Sequence, residues 1–572
     1  MKTEVVVIGA GALGPKAACR FKRVEPNSTV TIMDQNGLVF HERSGIPFFV
    51  SGDVSDIGQL RATSFQMPRD EQFFSGAKDI TVMTHTRGLS IDRRQKRVLI
   101  ENTMDGKKDA LSYDKLVLAT GGRPKPLSVP GVDLEGVCAP YNLNDAVTIK
   151  DSIAGGKVGR ALVIGASLMG LQMAEALSDM WGIETGVVEA GDQLLPRMIS
   201  RNLARMVQHH LEENGISFYL SQQVERLEGE NQVERVVTSE GTIEADLVLI
   251  ASGVTPNSEL AREAGLAVSP TGAVVVNGKM ETSDPHIYAG GDCVEITHLI
   301  TGKPVFCPSD ALAHKQGRII GTNLAGGNRR FEGTVGSFVV KLFEISIAGA
   351  GLSQDMAYQE GFDATTAFVV QFDHAHFHPD KDLMYLELVV EKGTGRVLGI
   401  QGLGNTGYGT AGRVDAVAAM LKYRPTTADI SNLEVAYSPP FSGAMDIVNT
   451  LGNVAENVLA GKNRGLDAEA FVDLWEKREK GEAFFLDCRG WANAEPFVNK
   501  YPLHWKSIPQ ETLRDRIGEV PHDKQVVLIC NTGMRSYEAQ LMLDQAGIKD
   551  TRNVSGGIAA MKKWGLDLSV TR

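Results

Sequence analysis

Six cysteines in 572 residues are too few and too scattered for a disulfide framework, and none pairs at Cys-x-x-Cys spacing as a metal site would require. That scarcity points to a reducing, cytoplasmic setting. No apolar run approaches the roughly 18 residues that a membrane-spanning helix needs. The apolar N-terminal stretch from Val5 to Leu13 reads as a strand entering a Gly-rich turn and not as a signal peptide. Positive charge is also in deficit. Lys and Arg number 58 against 70 Asp and Glu, a net charge of −12, which argues against a nucleic-acid partner. There is no low-complexity tract and no repeat of solenoid period. Glycine is what the chain has in quantity. Its 61 glycines gather at strand-to-helix turns, as in nucleotide-binding α/β folds. At about 150 residues per domain, the length predicts three or four domains.

Val5-Val6-Val7-Ile8 is a β-branched run suited to a strand buried on both faces. Gly9-Ala10-Gly11-Ala12-Leu13-Gly14 follows, then a helix through Arg23, then a strand from Val30 that ends at Asp34. The plan recurs. Ala161 to Ile164 leads into Gly165-Ala166-Ser167-Leu168-Met169-Gly170, a helix, and a strand ending at Glu189. Two such βαβ units imply two dinucleotides. In the first, Gly9 allows the tight turn, Gly11 lets backbone approach a pyrophosphate, and Gly14 lets helix pack on strand. The helix N-terminus supplies amides and positive dipole to the phosphates. A terminal carboxylate, Asp34 or Glu189, can hold ribose hydroxyls.

Three more apolar strands end in small residues: Leu116 to Gly121, Leu247 to Gly253 and Ile287 to Asp292. From about 330 to 450 the chain alternates strands (Tyr385 to Val390) with helices (Val414 to Leu421), which reads as a separate α+β domain. Gly461 to Gly465 is the best linker candidate. The last hundred residues form a small α/β domain whose strand Val526 to Ile529 runs into Cys530.

Ala119-Thr120-Gly121-Gly122 and Tyr288-Ala289-Gly290-Gly291-Asp292, in order behind the first Gly-rich turn, resemble the flavin motifs of the pyridine nucleotide-disulfide oxidoreductase family. The resemblance covers about residues 1 to 460. The 40–47 segment (Phe-His-Glu-Arg-Ser-Gly-Ile-Pro), Lys315-Gln316-Gly317-Arg318 and Tyr437 to Ser442 carry a closer likeness to its coenzyme A-disulfide reductases, NADH oxidases and persulfide or polysulfide reductases. The resemblance implies FAD at the first turn, with Gly9, Gly11, Ala12, Leu13, Gly14, Asp34, Gln35, Arg43, Ala119, Thr120, Gly121, Asp292 and Ala311 as its binding residues. It implies a nicotinamide nucleotide at the second, held by Gly165, Ser167, Leu168, Met169, Gly170, Glu189 and Gly253. Ser167 departs from the glycine pattern. Its hydroxyl could donate to a phosphate, while its Cβ crowds the pyrophosphate. Glu189, with no Arg or Lys before Arg197, favours NADH over NADPH.

In the disulfide-reductase branch a cysteine stands three residues before the proline that matches Pro47. Here that position is Ser44. A thiol titrates near 8.5 and gives useful thiolate at neutral pH, whereas a serine hydroxyl cannot form a mixed disulfide. Three readings stay open: a deliberate replacement, a natural one with electrons passing straight to a sulfane sulfur or another acceptor, or a substitute thiol such as Cys307, which otherwise reads as a small buried hydrophobe. Arg20, Lys22 and Arg23 lie on the first helix, where this branch often meets coenzyme A phosphates; the other reading is a solvated basic face. His374-x-His376-x-His378 would share one face of a strand. Zinc binding, acid–base work by His376 or His378 beside Tyr437, and a structural role are all open. We assign no metal.

Cys530-Asn531-Thr532-Gly533-Met534-Arg535-Ser536, with Leu486-Asp487-Cys488-Arg489 and Asn553 to Gly557, resembles rhodanese. Backbone amides, a helix N-terminus and Arg535 would stabilise an anionic sulfur on Cys530. Cys488 reads as a mid-strand core residue. The expected fold class is α/β: two Rossmann-like nucleotide-binding domains for FAD and NADH, an α+β dimerisation domain and a C-terminal rhodanese-like α/β domain. The boundaries are 1–150 and 251–328 for FAD, 151–250 for NADH, 329–458 for the dimer interface and 465–572 for rhodanese. The expected activity is FAD-dependent, NADH-driven reduction of sulfur–sulfur bonds in a persulfide, polysulfide or coenzyme A disulfide. The candidate catalytic residues are Cys530, Arg535, Ser44, Tyr437 and His378. Coenzyme A is a further ligand, and the expected state is a cytoplasmic homodimer without nucleic-acid or membrane partners. An oxygen-reducing NADH oxidase, or a sulfur carrier with an independent flavin part, are the alternatives.

Overall fold

A computed structural model describes residues 3–40 and 42–568; His41, within the 40–47 segment, lies outside them. The chain divides into two compact units, residues 1–190 with 216–334, and residues 191–215 with 335–572.

The first unit holds two parallel sheets. β1 (Glu4–Ile8) leads into α1 (Leu13–Val24) and β2 (Thr29–Met33). A one-turn 3-10 segment, Arg43–Gly45, precedes α2 (Ile46–Ser51), and β3 is Lys115–Leu118. The second βαβ unit is β4 (Arg160–Ile164), α3 (Leu168–Ser178) and β5 (Glu184–Val188), followed by β6 (Ile216–Tyr219) and β7 (Leu247–Ile250). β8 (Ile287–Ala289) and α4 (Asp310–Leu324) close the unit. The first sheet has the order β8-β3-β1-β2 with Thr81–Met83 at its edge, and the second β6-β5-β4-β7 with Val137–Cys138. Every named pair in both is parallel. Val5, Val6 and Val7 are at most 3% exposed, the double burial that a βαβ sheet imposes.

In the second unit an antiparallel sheet carries β9 (Ala364–Phe372), β10 (Leu383–Glu391) and β11 (Val397–Asn405) in the order β11-β10-β9, with Phe338–Leu342 and Ile345–Gly351 beyond β11. Helix α5 (Ile447–Leu459) packs on β9. The remaining elements are β12 (Gly465–Leu466), α6 (Ala468–Glu476), β13 (Ala483–Asp487), β14 (Gln525–Ile529), α7 (Met534–Gln545) and β15 (Thr551–Val554). They build a parallel sheet, β12-β15-β14-β13, with Trp505–Ser507 at its edge. The linker expectation needs correction. Gly465 and Leu466 pair with Asn553 and Val554, and the Arg464 guanidinium grips Asp544 at 2.8 Å, so the stretch is tied into the domain it introduces.

The three histidines are not on a strand either. β9 stops at Phe372 and the chain turns, because Asp373 takes the amide of Asp382 and the side-chain amide of Asn405. His374 and His378 stack at 5.3 Å between ring centres, while His376 turns out against Phe377. Cys488 lies one residue past β13, not within it, and is fully buried. No helix among the described residues is long and apolar enough to cross a membrane.

Candidate functional site

The first Gly-rich turn is shaped by contacts that exclude side chains. A Cβ on Gly9 (φ +110°) would stand 2.1 Å from the Ala119 carbonyl oxygen, and one on Gly14 would stand 2.0 Å from the Gly9 oxygen. Gly11 differs: open space faces it, because it borders a cavity of about 860 Å³. That cavity is where a dinucleotide of FAD's size fits. Gly11, Ala12 and Leu13 line it at the N-terminus of α1, with Asp34 and Gln35 beyond β2 and Ala119, Thr120 and Gly121 beyond β3. Asp34 also shapes the turn, accepting from the Ala10 amide at 2.8 Å and from the Asn36 amide at 2.9 Å.

Also in the cavity wall, Arg43 is paired with Asp292, its guanidinium 4.5 Å from the centre of the Tyr141 ring. Burial alone would lower the Arg43 pKa; Tyr141 and Asp292 outweigh it, and the net direction is upward. Asp292 accepts a second bond from the Ser309 amide at 3.2 Å. Thr120 donates to the Asn257 carbonyl at 2.6 Å, and the Asn257 side-chain amide donates back to the Thr120 carbonyl at 2.9 Å. This pins the second motif. Ala311 does not line the cavity. It is exposed on α4, whereas Asp310 and Ala313, three positions apart on one helix face, line the cavity. Burial pushes the Asp310 carboxyl up, partly opposed by Arg43.

The second fingerprint repeats the first. A Cβ on Gly170 would stand 2.1 Å from the Gly165 oxygen, and the Glu189 carboxylate accepts from the Ala166 amide at 2.8 Å, as Asp34 does from Ala10. Leu168 and Met169 open α3, and Gly253 (φ +107°) faces open space beyond β7. The expected phosphate donation by Ser167 is corrected: its hydroxyl donates to the Ala251 carbonyl at 2.8 Å and caps α3 by accepting from the Gly170 amide. The donor proton is spent inside the fold.

Ser44 is exposed at the centre of the 3-10 turn, beside Arg43. Cys307 is partly buried, burial pushes its thiol up, and it does not line the cavity. On α1, Arg20 donates to the Thr322 hydroxyl at 3.0 Å and Arg23 is exposed. Lys22 is corrected as a phosphate candidate, since its ammonium is held by the Ser28 carbonyl and the Asp79 carboxylate, each at 2.6 Å.

In the second unit Tyr437 is half exposed and lies in the segment that meets the histidine turn, where the Ala375 amide donates to the Pro439 carbonyl at 3.1 Å. Arg413, paired with buried Asp446 at 2.7 Å, also donates to the Asp373 and Phe441 carbonyls and locks both segments. His374 sits 2.7 Å from the Asp373 carboxylate. Among the described residues no group of three or more His, Cys, Asp or Glu side chains is placed to hold a metal.

Cys530 lies where β14 runs into α7. Its sulfur accepts from the Gly533 amide and from the Ser536 hydroxyl, each at 3.1 Å. Gly533 (φ +95°) adopts a conformation that suits glycine, and a Cβ there would approach the Gly556 amide at 3.1 Å. Arg535 is in the first turn of α7. Ser536 and Asn553 are site residues that the spacing did not single out: Asn553 accepts from Ser536 at 2.7 Å and donates to the Gly533 carbonyl at 3.2 Å. Cys488 follows the β13 residue that pairs with Ile529, next to Cys530 in register, and burial followed by the Cys530 charge pushes its thiol far up.

Residues 3–311 match the pyridine nucleotide-disulphide oxidoreductase family, 337–448 its dimerisation domain and 471–563 the rhodanese-like domain. The chain is 34% identical over 454 residues to the NAD(P)H sulfur oxidoreductase (CoA-dependent) of Pyrococcus abyssi, covering 79% of this chain and 98% of that one. Among solved structures, a NAD-dependent persulfide reductase from A. fulgidus is 37% identical, covering 97% of this chain and 99% of that one, at a TM-score of 0.91. Reduced Bacillus anthracis CoADR-RHD is 28% identical, covering 99% and 98%, at a TM-score of 0.88. The chain belongs to the pyridine nucleotide-disulphide oxidoreductase family, with a rhodanese-like domain following its dimerisation domain.

Proposed function

We propose that the protein reduces sulfur–sulfur bonds at the expense of NADH, using FAD, and that its rhodanese-like domain receives sulfane sulfur on Cys530. The observation that carries this reading is the pairing, in one chain, of a dinucleotide-sized cavity closed by Arg43 and Asp292 with a sulfur cradle at Cys530. The names of the relatives point the same way: a CoA-dependent sulfur oxidoreductase and a persulfide reductase.

FAD, when bound, supplies two-electron transfer from a nicotinamide to a sulfur acceptor. The residues do the rest. Gly11 and the first turn of α1 offer amides and dipole to a pyrophosphate. Asp34 and Gln35 face the ribose end, and Thr120 and Gly121 keep backbone close to the ligand. Glu189 repels a 2′-phosphate and so favours NADH. Cys530 attacks the sulfane sulfur of a persulfide R–S–SH as thiolate. The S–S bond of the donor breaks as the new S–S bond to Cys530 forms, R–S⁻ leaves, and Cys530 carries the persulfide. The Gly533 amide and the Ser536 hydroxyl hold the anionic sulfur before and after transfer. Ser44 offers no thiol for a mixed disulfide, which favours an acceptor reduced without a covalent link at that position.

On this reading residues 1–150 and 251–328 hold FAD, 151–250 hold NADH, 329–458 join two subunits and 465–572 handle sulfur. Arg20 and Arg23 meet coenzyme A phosphates, and Tyr437 and His378 serve as proton sources in the dimer. Six free cysteines suit a cytoplasmic setting. Anaerobic titration with NADH, followed by coenzyme A disulfide, polysulfide and then oxygen, tests the proposal. Fast reoxidation by a sulfur acceptor with sulfide or thiol release is expected. Reoxidation by oxygen alone would identify an NADH oxidase, and failure of NADH to bleach the flavin would end the reading.

A further inference from the structure

A second cavity, of about 400 Å³, lies wholly within the second unit. Its walls come from the N-terminus of the helix Arg201–Glu213, from β9 and β10 of the antiparallel sheet, from α5, and from the start of the rhodanese-like domain. Two of its lining atoms are buried acceptors with no hydrogen-bond partner among the described residues: Glu387 Oε1 and Asn202 Oδ1. Glu387 is only 4% exposed. The Ser200 side chain bonds to the Glu387 carboxyl but leaves Oε1 without a donor, and the Gln401 side chain accepts from the Ser200 amide at 2.7 Å. A buried acceptor left without a donor keeps the full cost of leaving water, so two sharing one cavity call for a ligand that brings donors.

The charged lining sets the sign. Asp355 (from Gln354–Gln359), Asp467 (the cap of α6) and Glu469 join Glu387, and Asp355 and Asp467 both act on the Glu387 carboxyl. The one cation among the described residues of the wall, Arg201, is already held by Asp192 at 2.6 Å. An anion would meet four carboxyl groups. A multivalent metal would find no cluster of three suitable ligands among the described residues. Phe368, Val454 and Val458 add apolar wall, which a bare ion would not use and methylene groups would.

We propose that this cavity is a binding site for a small aliphatic amine, its ammonium donating to Glu387 and Asn202 and its methylenes lying against Phe368, Val454 and Val458. Such a ligand would reach the sulfur chemistry through hydrogen bonds already in place. Asn463, in the cavity wall, accepts from Asn553 at 3.2 Å, and Asn553 holds the Ser536 hydroxyl that touches Cys530. Burial pushes the Glu387 carboxyl up to about 7, so it loses a proton when a cation binds. Binding is therefore tighter above pH 7 than below it.

The test is calorimetric titration of the full chain with putrescine, in two buffers of different ionisation heat, against sodium chloride at equal ionic strength. It reads neither flavin nor NADH, so its outcome is separate from that of the proposed activity. Expected are saturable binding that sodium chloride does not reproduce, proton release near neutral pH, a tenfold or greater loss of affinity in Glu387→Gln, and a smaller loss in Asp355→Asn, which alters only an exposed wall residue. Absence of saturable binding at every pH, as when ordered water satisfies both acceptors, overturns the proposal. So does binding that neither substitution weakens.

Discussion

The Ser536 hydroxyl lies 3.1 Å from the Cys530 sulfur, and both residues are at most 1% exposed. The same hydroxyl stands 2.7 Å from Asn553 Oδ1, which has no proton to give back, so one hydroxyl proton serves two acceptors. When the sulfur is anionic it is the stronger acceptor, and the proton turns to it. Replacing Ser536 by Ala leaves Cys530 with the Gly533 amide alone. The loss of one hydrogen bond to a charged group, about 1.5 kcal/mol, predicts roughly tenfold slower sulfur transfer from thiosulfate to cyanide. Cys530→Ser should abolish that transfer while NADH still reduces the flavin. An unchanged transfer rate in Ser536→Ala would remove the hydroxyl from the chemistry.

Arg43 gives a second prediction. It neutralises Asp292, which is 7% exposed, and stacks on Tyr141. Arg43→Met would leave a buried carboxylate without its cation, a cost on the order of 3–5 kcal/mol. The purified variant should carry less flavin per chain, read from its visible absorbance, and should melt at lower temperature. Full flavin content with an unchanged melting temperature would show that Asp292 has another partner in solution.

Glu189 serves the turn and the nucleotide at once, and two substitutions separate the roles. Gln at 189 keeps an acceptor for the Ala166 amide and removes the charge; Ala removes both. Loss of charge repulsion of 1–2 kcal/mol predicts that Glu189→Gln narrows the NADH-over-NADPH ratio of kcat/KM about tenfold with no change in melting temperature. Glu189→Ala should add a stability loss. If Gln leaves the ratio where it was, discrimination lies in other residues.

How far the sequence could be read follows from how local each constraint is. The two Gly-rich turns were legible because their glycines are fixed by contacts within a few residues or on the next strand: Gly14 against Gly9, Gly170 against Gly165. Asp34 and Glu189 were legible as strand-end acids, although their bonds to Ala10 and Ala166 were not. Ala311 stands one step of helical phase from the cavity-lining Asp310 and Ala313. The histidine alternation failed because Asp373, two strands away from its partner Asn405 in sequence, ends β9 early. Lys22 and Ser167 failed because side chains that could reach a ligand found carbonyls first. Ser536, Asn553 and Glu387 have no signature of their own. What distinguishes them is burial, which arises only when separate strands and helices meet.

Glu387 also makes the stability of the protein depend on pH in a calculable direction. Burial raises its carboxyl from 4.5 to about 7, the side chain of Ser200 opposes the rise, and Asp467 and Asp355 add to it. A raised carboxyl means that the folded state keeps its proton longer than the unfolded state. Below pH 4.5 both states hold it and the group costs nothing. Between 4.5 and 7 the unfolded chain releases the proton first, so stability falls as pH rises, by on the order of 3 kcal/mol over that span, and above 7 the loss is complete. Gln at 387 cannot titrate. The difference in unfolding free energy between Glu387→Gln and the parent should therefore grow with pH from 5 to 7 and then level off, as followed by denaturant unfolding at fixed ionic strength. An aliphatic amine bound in the cavity should shrink that difference above pH 7, because it brings a positive charge to the buried carboxylate. Two parallel stability curves across this window would place Glu387 in contact with water.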